Sequence, residues 1–378
     1  MQKIYLDYNA STPVAPEVAD AMAPFLSGHF GNPSSQHWAG APAKAALEEA
    51  RTQVAALLGC KTGEIVFTSG GTEANNHAIK GAFFALRDRG EHIVTTQIEH
   101  PAVLQPCRFL ERLGAKVTYV PVDGTGRVDP DEIRKALTPR TILVSVMHAN
   151  NEVGTIQPVA EIARICREHG VLLHTDAAQS VGKIPTRVSE LGVDLLSIAG
   201  HKLYAPKGVG ALYIREGVTL EPLMHGAGHE SSRRAGTENV LLDVALGAAC
   251  ELAGADLEDN AARLQQLRDY FHAELAGIFG SGVRLNGHLT DRLPNTLNVS
   301  FVGRLGSEVL GSLEGVAAST GSACHSGRHE LSPVLKAMGT DESAGLGAVR
   351  FSLGRGTTRE EIDRVLTLLR ARLPGGTA

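Results

Sequence analysis

The chain has 378 residues, more than one small domain needs, and this implies two or three domains. Apolar residues make up 43% and charged residues 20%, an ordinary soluble globular balance. Lys plus Arg is 36 against 41 for Asp plus Glu, a net charge of −5, and aromatics are 4%, so neither an electrostatic footprint for nucleic acid nor a base-stacking platform is expected. The opening MQKIYLDYNA reaches Lys3 and Asp7 without an apolar h-region, so no signal peptide is expected, and no run approaches the length of a membrane span. Cys60, Cys107, Cys166, Cys250 and Cys324 are odd in number, widely spaced and free of any CxxC pair. A disulfide framework or a structural zinc site is not expected, and the chain reads as a reduced, cytoplasmic α/β protein.

Short β-branched runs occur in order at 64–68 (EIVFT), 92–96 (HIVTT), 116–122 (KVTYVPV), 141–147 (TILVSVM), 171–175 (VLLHT), 194–199 (DLLSIA) and 209–214 (VGALYI). Most are almost continuously apolar, as strands buried on both faces are. Helical patterns lie between them, such as 159–168 with Ile162, Ile165 and Cys166 on one face. The alternation predicts a mostly parallel sheet covered by helices. From about Leu241 the texture changes to a long helix-compatible segment through Ile278, then strand-like runs at 296–301 and 349–353. A last helix opens on a capping box, Thr357 or Thr358 with Glu360 or Glu361, and carries Ile362, Val365, Leu366, Leu369 and Leu373 on one face. That part reads as a smaller α+β domain, and the closing PGGTA as a frayed tail. The expected division is a large α/β domain at 15–255 and a small domain from 1–14 plus 256–378.

Ligands of open α/β sheets sit beyond the carboxyl ends of the strands. The first run is followed by Ser69-Gly70-Gly71-Thr72-Glu73, which opens a helix-like stretch and suits a phosphate at a helix N-terminus. A Gly-Gly turn between strand and helix also needs no ligand, so both readings stay open at that point. The turn is neither the dinucleotide fingerprint nor a Walker A loop, which demotes NAD and ATP. Later strand ends carry Glu99-His100-Pro101, then His148 with Asn150-Asn151-Glu152, then Asp176 and Gln179, then Gly200-His201-Lys202. Each alone has a dull explanation: an Asp caps a helix, a His is a satisfied surface residue, a Lys is solvated. Together they place a lysine, a carboxylate, an imidazole and an anion-binding turn on one sheet edge, the set that pyridoxal phosphate requires.

The stretches YLDYNASTPV, GNPSS, EIVFTSGGTEANN, EHPAV, HANNEVG, HTDAAQSVGK, GHKLYAPKGVGALY, RRAGTEN, RLPNTLNVSF, STGSACHSG and VRFSLGR run in order from Tyr5 to about Arg355. In these the chain resembles the pyridoxal-phosphate cysteine desulfurases of the NifS/IscS type, in the class V aminotransferase group with fold type I. The resemblance implies a mostly parallel seven-stranded sheet in the large domain and a smaller C-terminal α+β domain carrying the catalytic cysteine loop. It implies Lys202 as the residue that links to the cofactor and later shuttles the α-proton, and Asp176 as the partner of the pyridinium nitrogen. His100 would stack on the ring and assist proton transfer, and Gln179 would bond the ring hydroxyl. Gly71, Thr72 and His201 would hold the phosphate, with Thr237 contributed by a second subunit of a homodimer. Asn151 and Arg350 would bind the carboxylate of L-cysteine, and Cys324 would accept its sulfur.

The residues around Cys324 agree with that role, because the thiol lies in the small-residue stretch 319–328, which reads as accessible, with His325, Arg328 and His329 near enough in sequence to favour thiolate. The other four cysteines read as buried small hydrophobes. Cys324, His325 and His329 are three crowded loop ligands without a second cluster and are not read as a metal site. Two features depart from the pattern of the resembled family. Ala199 stands where many relatives have a Ser hydroxyl on the phosphate. An extension after the last helix, of the kind longer IscS-type enzymes use to dock an iron–sulfur scaffold, is also not expected from this sequence. The expected activity is conversion of L-cysteine to L-alanine with persulfide transfer to an acceptor such as an iron–sulfur scaffold. Selenocysteine lyase, cleavage without a thiol nucleophile and a non-catalytic assembly partner remain as alternatives.

Overall fold

The computed structural model describes residues 3–320, 322–325 and 328–373. The strands in chain order are β1 (Ile4–Tyr5), β2 (Ile65–Thr68), β3 (His92–Thr96), β4 (Lys116–Val120), β5 (Thr141–Ser145), β6 (Leu172–Asp176), β7 (Leu195–Ala199), β8 (Gly210–Ile214), β9 (Val283–Asn286), β10 (Thr296–Phe301), β11 (Val316–Ala317), β12 (Ser319–Thr320), β13 (Ser322–His325), β14 (Arg328–Leu331) and β15 (Ala348–Ser352). Seven of them form one sheet in the order β2-β8-β7-β6-β5-β3-β4, in which β8 alone runs against its neighbours.

The apolar runs form this sheet because both of its faces are covered. Leu196 and Ile198 enter the core shared with the helices Gly40–Leu58, Val159–His169 and Val240–Ala255, while Leu195 enters the opposite core with Gly71–Ala85 and Pro101–Glu111. That is the period-two alternation of a strand with two buried faces. The expected strands stop short where their backbone is claimed elsewhere. The 116–122 run ends before Pro121, which has no N–H to donate. The 141–147 run ends at Ser145, and beyond it the Met147 N–H donates to the Glu99 carboxylate at 3.0 and 3.1 Å.

A second, four-stranded antiparallel sheet, β12-β15-β10-β9, packs on the helices Leu257–Phe279 and Arg359–Arg372. The capping box is Thr358 with Glu361, and the five apolar positions expected on one face of the last helix are all buried. The continuous helix expected through 241–278 is instead two helices, Val240–Ala255 and Leu257–Phe279. Asp256 leaves helical backbone (φ −138°, ψ 26°), and its carboxylate takes both arms of the Arg355 guanidinium at 2.9 Å each. The PGGTA tail lies outside the described residues.

The N-terminal segment crosses between the two sheets. β1 pairs in parallel with β11, Asp7 bridges to Ser352, and the Lys202 turn then receives Asn9 and Ala10. Because β2, β3, β5, β6 and β7 are parallel, their carboxyl ends open at one edge, and residues 9–10 together with Arg350 on β15 close over it.

Candidate active site

A cavity of about 520 Å³ lies at that edge. Gly71, Thr72, His100, Asn151, Asp176, Gln179, His201, Lys202 and Arg350, drawn from six segments of the chain, all line it. Thr237 does not line it and is exposed. Cys324 is described only as backbone, paired with His329 in the β13–β14 hairpin, and its side chain lies outside the described residues.

Asp176 ends β6 and is buried. One carboxylate oxygen accepts from the Asn75 amide at 2.6 Å and the other from the Ala178 N–H at 2.9 Å, which fixes its plane. Asn75 lies one turn beyond Gly71 on its helix, on the face that meets the sheet, and its own Oδ1 is buried without a partner. Lys202 closes the short turn Gly200–Lys202, and its Nζ donates to the carbonyls of Asn9 at 2.6 Å and Ala10 at 2.7 Å. Neutral carbonyls cannot repay the desolvation of an ammonium. Burial, reinforced by the Arg350 charge and opposed by Asp7 and Asp176, lowers the amine to about 8.

His100 caps the helix Pro101–Glu111, with Nδ1 accepting from the Ala102 N–H at 3.0 Å. Burial lowers its basicity, so the ring is neutral, and the accepted bond places its proton on Nε2. His201 is lowered to about 4 by burial and the neighbouring Lys202 and Lys207. Arg350 stands on β15 of the four-stranded sheet. It donates through Nη2 to Asp7 and through Nη1 to the Asn151 carbonyl, both at 2.8 Å, and its buried Nε has no partner.

At the anion-binding turn Gly70 adopts φ +147°, a conformation reserved in practice for glycine. Packing is tight behind it: a Cβ on Gly210 would lie 2.7 Å from the Gly70 Cα. The first N–H groups of the helix Gly71–Ala85 therefore face the cavity beside Ala199.

Sequence reasoning missed three polar residues of this site. Asn75 was recoverable from helical spacing within GGTEANN. Asn9 was not, because its partners are remote in sequence, and Lys183 was not, because its second acceptor is the side chain of Asn9, although Gln179 lies only four residues before it. Asn9 bonds Lys202, Gln179, Lys183, Asn295, Thr296 and Ser352. Cys107, Cys166 and Cys250 are buried as expected. Cys60 is only half-buried, and burial still pushes its thiol up to about 12. Among the described residues no cluster of three or more His, Cys, Asp or Glu side chains is placed to hold a metal ion.

The family model described as Aminotransferase class-V matches residues 4–365. The chain is 52% identical over 370 residues to a protein named cysteine desulfurase IscS from Dictyoglomus turgidum, covering 97% of this chain and 94% of that one. It is 50% identical over 368 residues to a protein of the same name from Methanosarcina thermophila, covering 97% and 91%. A solved structure titled as a NifS-like protein superposes with a TM-score of 0.92 at 40% identity, covering 98% of this chain and 99% of the other. With a matched family model spanning nearly the whole sequence and close relatives along its full length, the chain belongs to the class-V aminotransferase family.

Proposed function

We propose that this protein is a pyridoxal-phosphate-dependent cysteine desulfurase: it converts L-cysteine to L-alanine and carries the released sulfur as a persulfide on Cys324. The observation that carries the reading is the convergence of Lys202, Asp176, His100 and Arg350 on one cavity at the strand ends. The residues there fit the cofactor. A half-buried amine held only by carbonyls is available for a carbonyl compound, a carboxylate with a fixed plane suits a ring N–H, and a glycine-lined helix N-terminus suits a phosphate. A cavity of 520 Å³ lies within the range of roughly 300–1,000 Å³ usual for small-molecule sites.

Bound pyridoxal phosphate supplies an aldehyde for condensation with amines and a ring that takes up the electron pair left by a departing proton. Lys202 Nζ would provide the attachment point and, released from it, the base that accepts the α-proton. Asp176, held by Asn75, would hold a protonated ring nitrogen, and His100, with Nδ1 taken by the Ala102 N–H, would lie against the ring as a neutral imidazole. Gly71, Thr72 and His201 would hold the phosphate, and in a homodimer Thr237 of the partner subunit would join them. Arg350 and Asn151 orient the substrate carboxylate. The Cys324 thiolate attacks the substrate sulfur: an S–S bond forms, the Cβ–S bond breaks, and Cβ takes up a proton. Substrate sulfur is oxidised to the sulfane level as Cβ is reduced, so the step needs no external oxidant.

The same reading makes the protein a homodimer that hands its sulfur to an acceptor such as an iron–sulfur scaffold. The exposed Thr237 supports the dimer, as does a strongly exposed apolar set on one segment, with Leu26 71%, Phe30 74% and Trp38 83% accessible. The test is alanine release from L-cysteine and from L-selenocysteine, with reductant, for the wild type and Cys324→Ala. Cysteine turnover by the wild type that disappears in the variant is expected, with the cofactor absorbance retained. Turnover of selenocysteine alone, or cysteine turnover that survives in Cys324→Ala, would sink the reading.

A further inference from the structure

Lys183 is a buried amine that the proposed chemistry does not use. It follows β6 in the turn beneath the cavity, and its Nζ donates to the Gln179 side-chain oxygen at 2.8 Å and to the Asn9 side-chain oxygen at 3.2 Å. It has no carboxylate partner among the described residues, and burial, with the Lys202 and Arg350 charges, pushes its basicity well below that of an exposed lysine. Two amide oxygens match the two N–H groups of a neutral amine, whereas an ammonium would bury a third donor without an acceptor. A buried polar group of this kind costs stability relative to an apolar side chain of the same length. Packing alone would be served better by methionine.

The contacts of Gln179 show what the amine does there. A side-chain amide has an oxygen end and an amino end of nearly equal shape, and only its neighbours decide which way it points. Lys183 can only donate, so it demands the oxygen. The Asn9 carbonyl can only accept, and it takes the Gln179 Nε2 at 2.9 Å. The second N–H on that nitrogen is then what Gln179 has to offer the cavity it lines. The Asn9 carbonyl also receives Lys202, so the orientation of Gln179 and the seat of the attaching amine share one atom.

We propose that Lys183 is a positioning residue: by holding the Gln179 oxygen it fixes the amide so that Gln179 presents N–H, and not oxygen, to the pyridoxal phosphate ring oxygen. This rests on the reading of the cavity as a pyridoxal phosphate site. Without the amine, only the Asn9 carbonyl still opposes a flip, and a flipped amide sets its oxygen against an anionic ring oxygen.

The test is a double-mutant cycle on cofactor-free protein. Wild type, Lys183→Met, Gln179→Ala and the double variant are titrated with pyridoxal 5′-phosphate, uptake is followed by visible absorbance, and thermal unfolding of each cofactor-free form checks the fold. Lys183→Met is expected to weaken uptake on the order of tenfold when Gln179 is present and less than about twofold when residue 179 is alanine. Equal losses in both backgrounds, or no loss in the first, would overturn the role. If Lys183→Met does not fold, Lys183→Gln, which keeps an N–H donor at shorter reach, enters the same cycle. A loss that vanishes in Gln179→Ala then supports the role, and one that persists overturns it. Wild-type protein that takes up no pyridoxal phosphate overturns the cavity reading and this role with it. Uptake by the wild type with uncoupled losses overturns this role alone.

Discussion

Lys202 shows how a single side chain is prepared by its surroundings. With its amine lowered to about 8, roughly a tenth is unprotonated at pH 7, against a few in ten thousand for an ordinary lysine. Only the neutral amine attacks a carbonyl. In cofactor-free protein the rate of pyridoxal phosphate capture should therefore rise about tenfold per pH unit and level off near pH 8. Arg350→Gln should move that midpoint upward, because removal of a neighbouring positive charge favours the ammonium. Stopped-flow absorbance checks both, and a wild-type midpoint near that of free lysine would remove the case for a prepared amine. At this scale the sequence was informative where chemistry sits at strand ends: Asp176, Lys202 and His100 occupy the edge the alternation predicts. It was silent on Asn9 and Lys183, because a carbonyl or an amide oxygen has no motif of its own. Their importance comes from partners up to 343 positions away.

Among the elements, the meeting of the turn at Gly70, the helix Gly71–Ala85 and the end of β7 decides how an anion is held. A Cβ on Gly71 would stand 3.1 Å from the Ala199 Cβ, so the helix end rests directly on β7, and Ala199 faces the cavity without a hydroxyl. Ala199→Ser should supply one more donor and tighten pyridoxal phosphate roughly two- to tenfold, the worth of one hydrogen bond. Equilibrium titration measures it, and unchanged or weaker binding would mean that the phosphate does not rest at the end of β7. The strands were legible as elements because burial on both faces leaves an almost unbroken apolar run. Their ends were not, since Glu99 captures the Met147 N–H from a distant turn. The break at Asp256 was hidden for a similar reason: an aspartate within a helical pattern gives no sign that an arginine 99 residues later will claim it.

For the whole molecule, the exposed set of Leu26, Phe30 and Trp38 decides what the chain does in company. Trp38 is the single tryptophan of the sequence. If this segment is covered by a second subunit, its emission should be blue-shifted in concentrated solution and move to the red on dilution, in step with dissociation seen by sedimentation. A fully active monomer with an unshifted spectrum would refute the dimer and the contribution of Thr237 to its neighbour's site. This surface was beyond sequence reasoning, because an apolar residue in a loop-rich segment reads the same whether it turns inward or outward.

The strap formed by residues 4–10 also bears on how the protein is made. Its first strand pairs with Val316–Ala317, Asp7 reaches Ser319 and Arg350, and the Asn9 backbone N–H ends on Ser352. Residues 4–10 must therefore wait for residues 316–352 before they find their partners, and contacts of such long range form slowly. Until then the lysine, whose two carbonyl acceptors lie on that strap, has no fixed seat. A chain that stops before residue 316 can fold its parallel strands and still leave Lys202 without the two carbonyls that hold it.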